Sequence, residues 1–122
     1  MELLVYKASA GSGKTFTLAV EYIKLLILNP RAYRQILAVT FTNKATAEMK
    51  ERILSQLYGI WKGDKDSDAY LKRIIAETGK PVEEVREAAK VALTNMLHDY
   101  SRFRVETIDS FFQSVMRNLA RE

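Results

Sequence analysis

Ala8-Ser9-Ala10-Gly11-Ser12-Gly13-Lys14-Thr15 lies between a short apolar run, Leu3-Leu4-Val5-Tyr6, and an apolar stretch that continues to Leu28. The first run reads as a buried strand and residues 14–28 as a helix, so the loop joins a strand end to a helix start. Glycines at 11 and 13 permit backbone dihedrals that a side chain forbids, letting successive N–H groups converge on phosphate oxygens. The helix start adds free N–H groups and partial positive charge. Lys14 is placed to bridge the β- and γ-phosphates of a nucleotide, and the Thr15 hydroxyl to complete the shell of a Mg²⁺ ion. The arrangement is that of a phosphate-binding P-loop, with Ala8 where the pattern G-x-x-x-x-G-K-[ST] has its first glycine.

The rest of the composition bounds what such a loop can serve. The chain has 122 residues, 48% hydrophobic and 28% charged, which is one globular domain or part of one. With no cysteine it has no disulfide framework, thiolate metal site or cysteine nucleophile. A net charge of +4 permits a polyanionic partner without requiring one. Residues 1–30 lack the pattern of a secretory signal, and the apolar stretch 16–28 carries Glu21 and Lys24 and is too short to span a bilayer. No membrane role and a cytoplasmic location are expected.

Along the chain, the first helix leaves Thr17, Glu21 and Lys24 as one narrow polar stripe, so protein is expected on more than one side of it. Asn29-Pro30 stops it. Gln35 to Phe41 is a second strand without alternation, as in a parallel sheet buried on both faces. Thr42 or Asn43 caps a helix running to about Tyr58 with Ala45, Met49, Ile53 and Leu57 on one face. Residues 59–66 read as a polar loop containing Trp61. Two helical patterns follow: 67–77, closed by Gly79, and a second from Pro81 to about Tyr100 with Val85, Ala89, Ala92, Leu93, Met96 and Leu97 inside. Arg104 to Thr107 is a third strand, and Thr107 or Asp109 caps a last helix carrying Phe111, Phe112, Val115, Met116 and Leu119. His98, the single histidine, is expected as a partly exposed helix residue.

Two more strand ends run into Thr/Ser/Asn turns and helix starts, at Thr40-Phe41-Thr42-Asn43 and at Thr107-Ile108-Asp109-Ser110. In a parallel sheet these turns and the P-loop share the carboxyl edge, where ligands bind. Short hydroxyl and amide side chains there suit phosphate contacts, and Phe41 suits base stacking. On pattern alone the same residues also serve as helix caps and core, and both readings stand.

The three stretches ASAGSGKTFTLA, VTFTNKATAEMKERI and TIDSFFQ, in this order, resemble motifs I, Ia and Ib of superfamily 1 UvrD-like helicases, most closely the RecB/AddA helicase–nuclease branch. The resemblance covers about residues 3–58 and 104–119, and alanine at position 8 is usual there. It implies an α/β fold: a RecA-like P-loop NTPase motor, here a partial three-layer domain with a short, incomplete parallel sheet. Residues 1–122 would be its amino-terminal part and 59–100 a helical insertion. It implies ATP and Mg²⁺ as cofactors, held by Ala10, Gly11, Ser12, Gly13, Lys14 and Thr15, with Thr15 the metal ligand. It implies DNA as partner, with Phe41, Thr42, Asn43, Thr107, Ser110 and Phe111 lining a single-stranded path, and other subunits of a helicase–nuclease complex. Relatives carry His where this chain has Asp109, so a capping role is expected there; Arg52 is expected solvated or salt-bridged.

No apolar strand ending in Asp-Glu, switch glutamine or arginine finger occurs in the sequence, and these supply transition-state stabilisation in phosphoryl transfer. The expectation is the ATP-binding front of an ATP-dependent DNA helicase/exonuclease of recombination and double-strand-break repair. The 122-residue chain would bind nucleotide weakly without turning it over, and would self-associate through surfaces left by an incomplete sheet. The alternatives are a P-loop small-molecule or nucleotide kinase, and a nucleotide-dependent binding module that does not translocate.

Overall fold

The computed structural model describes residues 2–5 and 13–121, with side chains from Thr15 onward. Strand β1 (Glu2–Val5) is followed by helix α1 (Gly13–Leu28), a turn of 3₁₀ helix at Ala32–Gln35, and strand β2 (Ile36–Thr40). Helices α2 (Asn43–Lys62), α3 (Asp68–Thr78) and α4 (Val82–His98) come next, then strand β3 (Val105–Thr107) and helix α5 (Ile108–Arg121). The three strands form one parallel sheet in the order β1-β2-β3. This is an α/β chain with a short parallel sheet, as expected.

Register is set where the motifs need it. Val5 pairs with Val39 and Thr40 with Thr107, so all three strands end at the same edge. Right-handed crossovers taken twice in one direction put both connections on one face of a sheet. Helices α1, α2, α3 and α4 do pack on one another. Strand β2, in the middle, is buried along its whole length, which explains its unbroken run of apolar residues.

The core sits between β2, β3 and the four helices. Tyr22, Ile23 and Leu26 of α1 meet Ile53 and Leu57 of α2, Ile74 of α3, Met96 of α4 and Phe103 before β3. Helix α1 is closed in as its composition demanded, with Leu18, Ala19, Val20, Tyr22, Ile23, Leu26 and Ile27 all buried. Its polar stripe faces α3: Lys24 Nζ lies 2.9 Å from Glu21 and 3.2 Å from Glu77. Tyr22 packs edge-on to Phe103 at 5.7 Å. Burial pushes its hydroxyl pKa well up, and that oxygen finds no hydrogen-bond partner among the described residues.

Several expectations are corrected. The polar loop at 59–66 does not start at Gly59: α2 continues to Lys62, and Gly63 at φ 74° closes it. A glycine is tolerated inside this helix because the chain returns against it. A Cβ on Gly59 would stand 1.9 Å from Ser67 Oγ, and Ser67 is buried. Trp61 is therefore a helical residue packed against the core. Pro81 takes the cap position of α4 rather than its first turn, and Leu97, expected inside, is exposed because α4 turns that side to solvent. Asp109 does not cap α5; it sits exposed in the first turn, and Thr107 Oγ1 accepts the Ser110 N–H at 3.2 Å. An exposed apolar helix face is found on α5, with Phe112, Met116 and Leu119 each about 60% exposed.

Candidate functional site

The carboxyl edge of the sheet gathers three strand ends and three helix starts. Helix α1 begins at Gly13, α2 at Asn43 and α5 at Ile108, each after a strand of the same parallel sheet. Each helix start leaves backbone N–H groups without intrahelical partners and carries partial positive charge. An edge built in this way favours anionic ligands.

Ala10, Gly11 and Ser12 lie outside the described residues. Gly13 and Lys14 open α1, and Thr15, in its first turn, is half-buried. Phe41 leaves the end of β2 and is 52% exposed, so it is not core. Thr42 caps α2, its Oγ1 accepting the Ala45 N–H at 3.0 Å, and Asn43 is the exposed first residue of that helix. Thr107 ends β3 directly across from Thr40, Ser110 is exposed three residues on, and Phe111 is half-buried. The structure thus brings the β2 and β3 turns together on one edge, with Thr42 and Thr107 engaged as caps and Phe41, Asn43 and Ser110 turned outward.

Sequence reasoning overlooked the residues that hold these turns in register. Thr40, buried at the tip of β2, places Oγ1 2.6 Å from Thr46 Oγ1, 3.3 Å from the Thr42 carbonyl and 3.4 Å from the Glu106 carbonyl. A hydroxyl has one proton to give. The consistent assignment has Thr46 donating to Thr40 and Thr40 donating to one of the carbonyls. One side chain thereby links the β2 tip, the first turn of α2 and β3. The available signal was a polar residue ending a wholly apolar strand.

Away from this edge, Arg52 donates to the Tyr70 hydroxyl at 3.0 Å and lines an open groove of about 400 Å³ with Glu48, Glu51 and Gln56. Expected solvated or salt-bridged, it is instead half-buried and held by a neutral hydroxyl, with no ion pair among the described residues. His98 is the exposed last residue of α4. Among the described residues no group of acidic, histidine or cysteine side chains could hold a metal ion, and no helix is long and apolar enough to cross a membrane.

Parallel strands ending beside helix starts define an α/β protein, and the carboxyl edge is where such sheets bind their ligands. The chain belongs to the UvrD/REP helicase N-terminal domain family, whose model matches residues 2–122. It is similar to the RecB component of the RecBCD enzyme of Buchnera aphidicola, 33% identical over 91% of this chain and 10% of that protein. It is 36% identical to an ATP-dependent helicase/nuclease polypeptide of Alkaliphilus metalliredigens, itself one subunit of its enzyme, over 59% of this chain and 6% of that protein. It is 52% identical to ATP-dependent DNA helicase UvrD1 of Mycobacterium leprae over 41% of this chain and 6% of that protein. The chain therefore spans a tenth or less of the length of these relatives. No solved structure matches it. Membership of this family was expected from the three motifs.

Proposed function

We propose that the chain is the nucleotide- and DNA-binding front of a RecA-like helicase motor. Residues 1–122 would be its amino-terminal part, and the helices after Gly59 an insertion ahead of the third strand. In this reading Ala10, Gly11, Ser12, Gly13, Lys14 and Thr15 hold the phosphates of ATP, with Thr15 on Mg²⁺. The donor set fits: amides at a helix start, an ammonium and a hydroxyl are the groups a magnesium-bound triphosphate requires. Bound ATP would supply the phosphoanhydride whose hydrolysis drives a motor.

Phe41, Thr42, Asn43, Thr107, Ser110 and Phe111 form the track for single-stranded DNA. The caps at Thr42 and Thr107 aim helix starts at phosphates, and exposed Phe41 offers a face to a base, a contact of about 1–3 kcal/mol. The observation that carries the reading is the common edge: Thr40 and Thr107 are register partners, so both turns face the ligand side beside the P-loop strand. The relatives' names add ATP dependence, DNA as substrate and, for two of them, work within a larger enzyme. By that kinship this chain serves a DNA repair and recombination helicase, assembled with further subunits in the cytoplasm.

Two binding measurements test it. A fluorescent ATP analogue with Mg²⁺ binds the 122-residue chain and is lost in Lys14→Ala, without turnover in either. An oligonucleotide binds and is weakened by Phe41→Ala and Ser110→Ala, with circular dichroism unchanged. Nucleotide affinity indifferent to Lys14, or DNA affinity indifferent to both edge variants, overturns the proposal. In the full-length protein, ATPase activity stimulated by single-stranded DNA separates a helicase from a module that binds without translocating.

A further inference from the structure

The carboxyl end of α2 carries a cation–aromatic cluster far from the strand tips. Tyr58 and Trp61 meet edge to face with centroids 5.7 Å apart. Lys62 Nζ lies 4.2 Å from the Trp61 ring centre and 6.0 Å from that of Tyr58, and Lys90 of α4 reaches the same indole at 5.7 Å. Arg86, one turn before Lys90, packs where α2 ends, its Nη1 3.0 Å from where a Cβ on Gly63 would be. Its Nε finds no hydrogen-bond partner among the described residues.

Carboxylates are near but not engaged with these cations. Asp64 Oδ1 accepts the Asp66 N–H at 3.1 Å, and Glu83 and Glu87 lie on α4. Among the described residues neither Lys62, Arg86 nor Lys90 forms an ion pair, although other lysines and arginines of the chain do. Part of the attraction of Lys62 and Arg86 to this place is the negative end of α2. That accounts for cations at a helix end but not for an exposed tyrosine beside an indole that two ammonium groups share.

We propose that Tyr58, Trp61, Lys62, Arg86 and Lys90 form a second contact site for single-stranded nucleic acid. The cations take backbone phosphates and exposed Tyr58 stacks on a base, the combination that binds single strands without sequence preference. The inference rests on the reading of the chain as a DNA-binding helicase segment. The site is distinct from the strand-tip track: α2 has 20 residues, so its two ends stand about 30 Å apart at 1.5 Å per residue. The end of α2 and helix α4 of the insertion would thereby hold a strand that the motor edge engages elsewhere.

Trp61 is the only tryptophan, so its fluorescence reports on this patch. Titration of the 122-residue chain with oligothymidylate of about 16 nucleotides is expected to quench it in a saturable, salt-sensitive way. Lys62→Gln/Lys90→Gln should weaken binding at least tenfold, on the order of a loss of two phosphate contacts, and flatten the log–log salt dependence by about 1.4. Tyr58→Ala should weaken binding with the salt slope kept. Circular dichroism and melting should be unchanged in both variants. Binding seen by anisotropy without Trp61 quenching, or an unaltered salt slope in the double variant, overturns the proposal. Equal quenching by polyglutamate or inorganic phosphate overturns it as well, in favour of an acidic protein or a simple anion site. If Phe41→Ala and Ser110→Ala abolish binding while the lysine variant does not, the second site falls and the helicase reading stands.

Discussion

Replacing Thr40 by valine removes one hydroxyl at the point where the β2 tip, α2 and β3 meet. The side chain is 6% exposed, so its contacts are made largely out of water. The 2.6 Å bond to Thr46 is the strong one; the approaches to the Thr42 and Glu106 carbonyls at 3.3 and 3.4 Å share a single proton at long range. A neutral hydrogen bond contributes about 0.5–1.5 kcal/mol net, so two are lost for about 2 kcal/mol. The added methyl regains about 0.8 kcal/mol by burial. Thr40→Val should therefore cost about 1 kcal/mol in urea unfolding, with the m-value unchanged. Thr46→Val breaks only that strong bond, from the other side, and gains a methyl at a half-buried position, so it should cost less, about 0.5 kcal/mol. Since that bond is lost only once, the double variant should be less destabilised than the sum of the single ones by about 1 kcal/mol. Costs that add to within about 0.3–0.5 kcal/mol would show the hydroxyls to be independent and refute the coupling. A loss of oligonucleotide affinity in Thr40→Val, though Thr40 itself is buried, is the functional side of the same argument.

Gly59→Ala sets helix propensity against packing. Alanine favours an interior helix position by about 1 kcal/mol. The new methyl meets Ser67 Oγ at 1.9 Å and Ser67 Cβ at 3.0 Å, and overpacking costs about 1–3 kcal/mol, so thermal melting should fall and recover in Gly59→Ala/Ser67→Gly. A rise in melting temperature in the single variant would refute the close contact. Glu77, whose carboxyl is held below its ordinary value of 4.5 first by the Arg73 hydrogen bond and then by Lys24, stabilises the fold above its unfolded pKa. That contribution is lost as pH falls through the folded value, so the melting gap between wild type and Glu77→Gln should narrow below about pH 4.5; a gap independent of pH would refute it. The uncovered face of α5 should drive concentration-dependent association in sedimentation, relieved by Phe112→Asp/Met116→Asp. Equal monomeric behaviour of both chains at high concentration would count against that.

Local chemistry made much of this molecule readable from its residues. An apolar run with no alternation must be a doubly covered strand, and β2 is buried throughout. Thr42 before Asn43, Gly79 after Thr78 and Pro30 after Asn29 mark helix ends because capping, positive φ and proline sterics act within a few residues. The motif order was equally legible, and family membership followed from it. What misled was chemistry whose partner is distant in sequence. Gly59 reads as a loop residue until Ser67 is seen against it, and Leu97 as core until the unoccupied side of α4 is known. The P-loop pattern, the caps and the helix periodicity were determined by the chain itself, since each depends on neighbours within about one or two helical turns. The register of Thr40 with Thr107, the threonine link behind it, the exposure of α5 and the meeting of Lys62 with Lys90 over one indole were decided only by the fold. Those features join residues far apart in the chain or depend on what is left uncovered, and no local pattern encodes either.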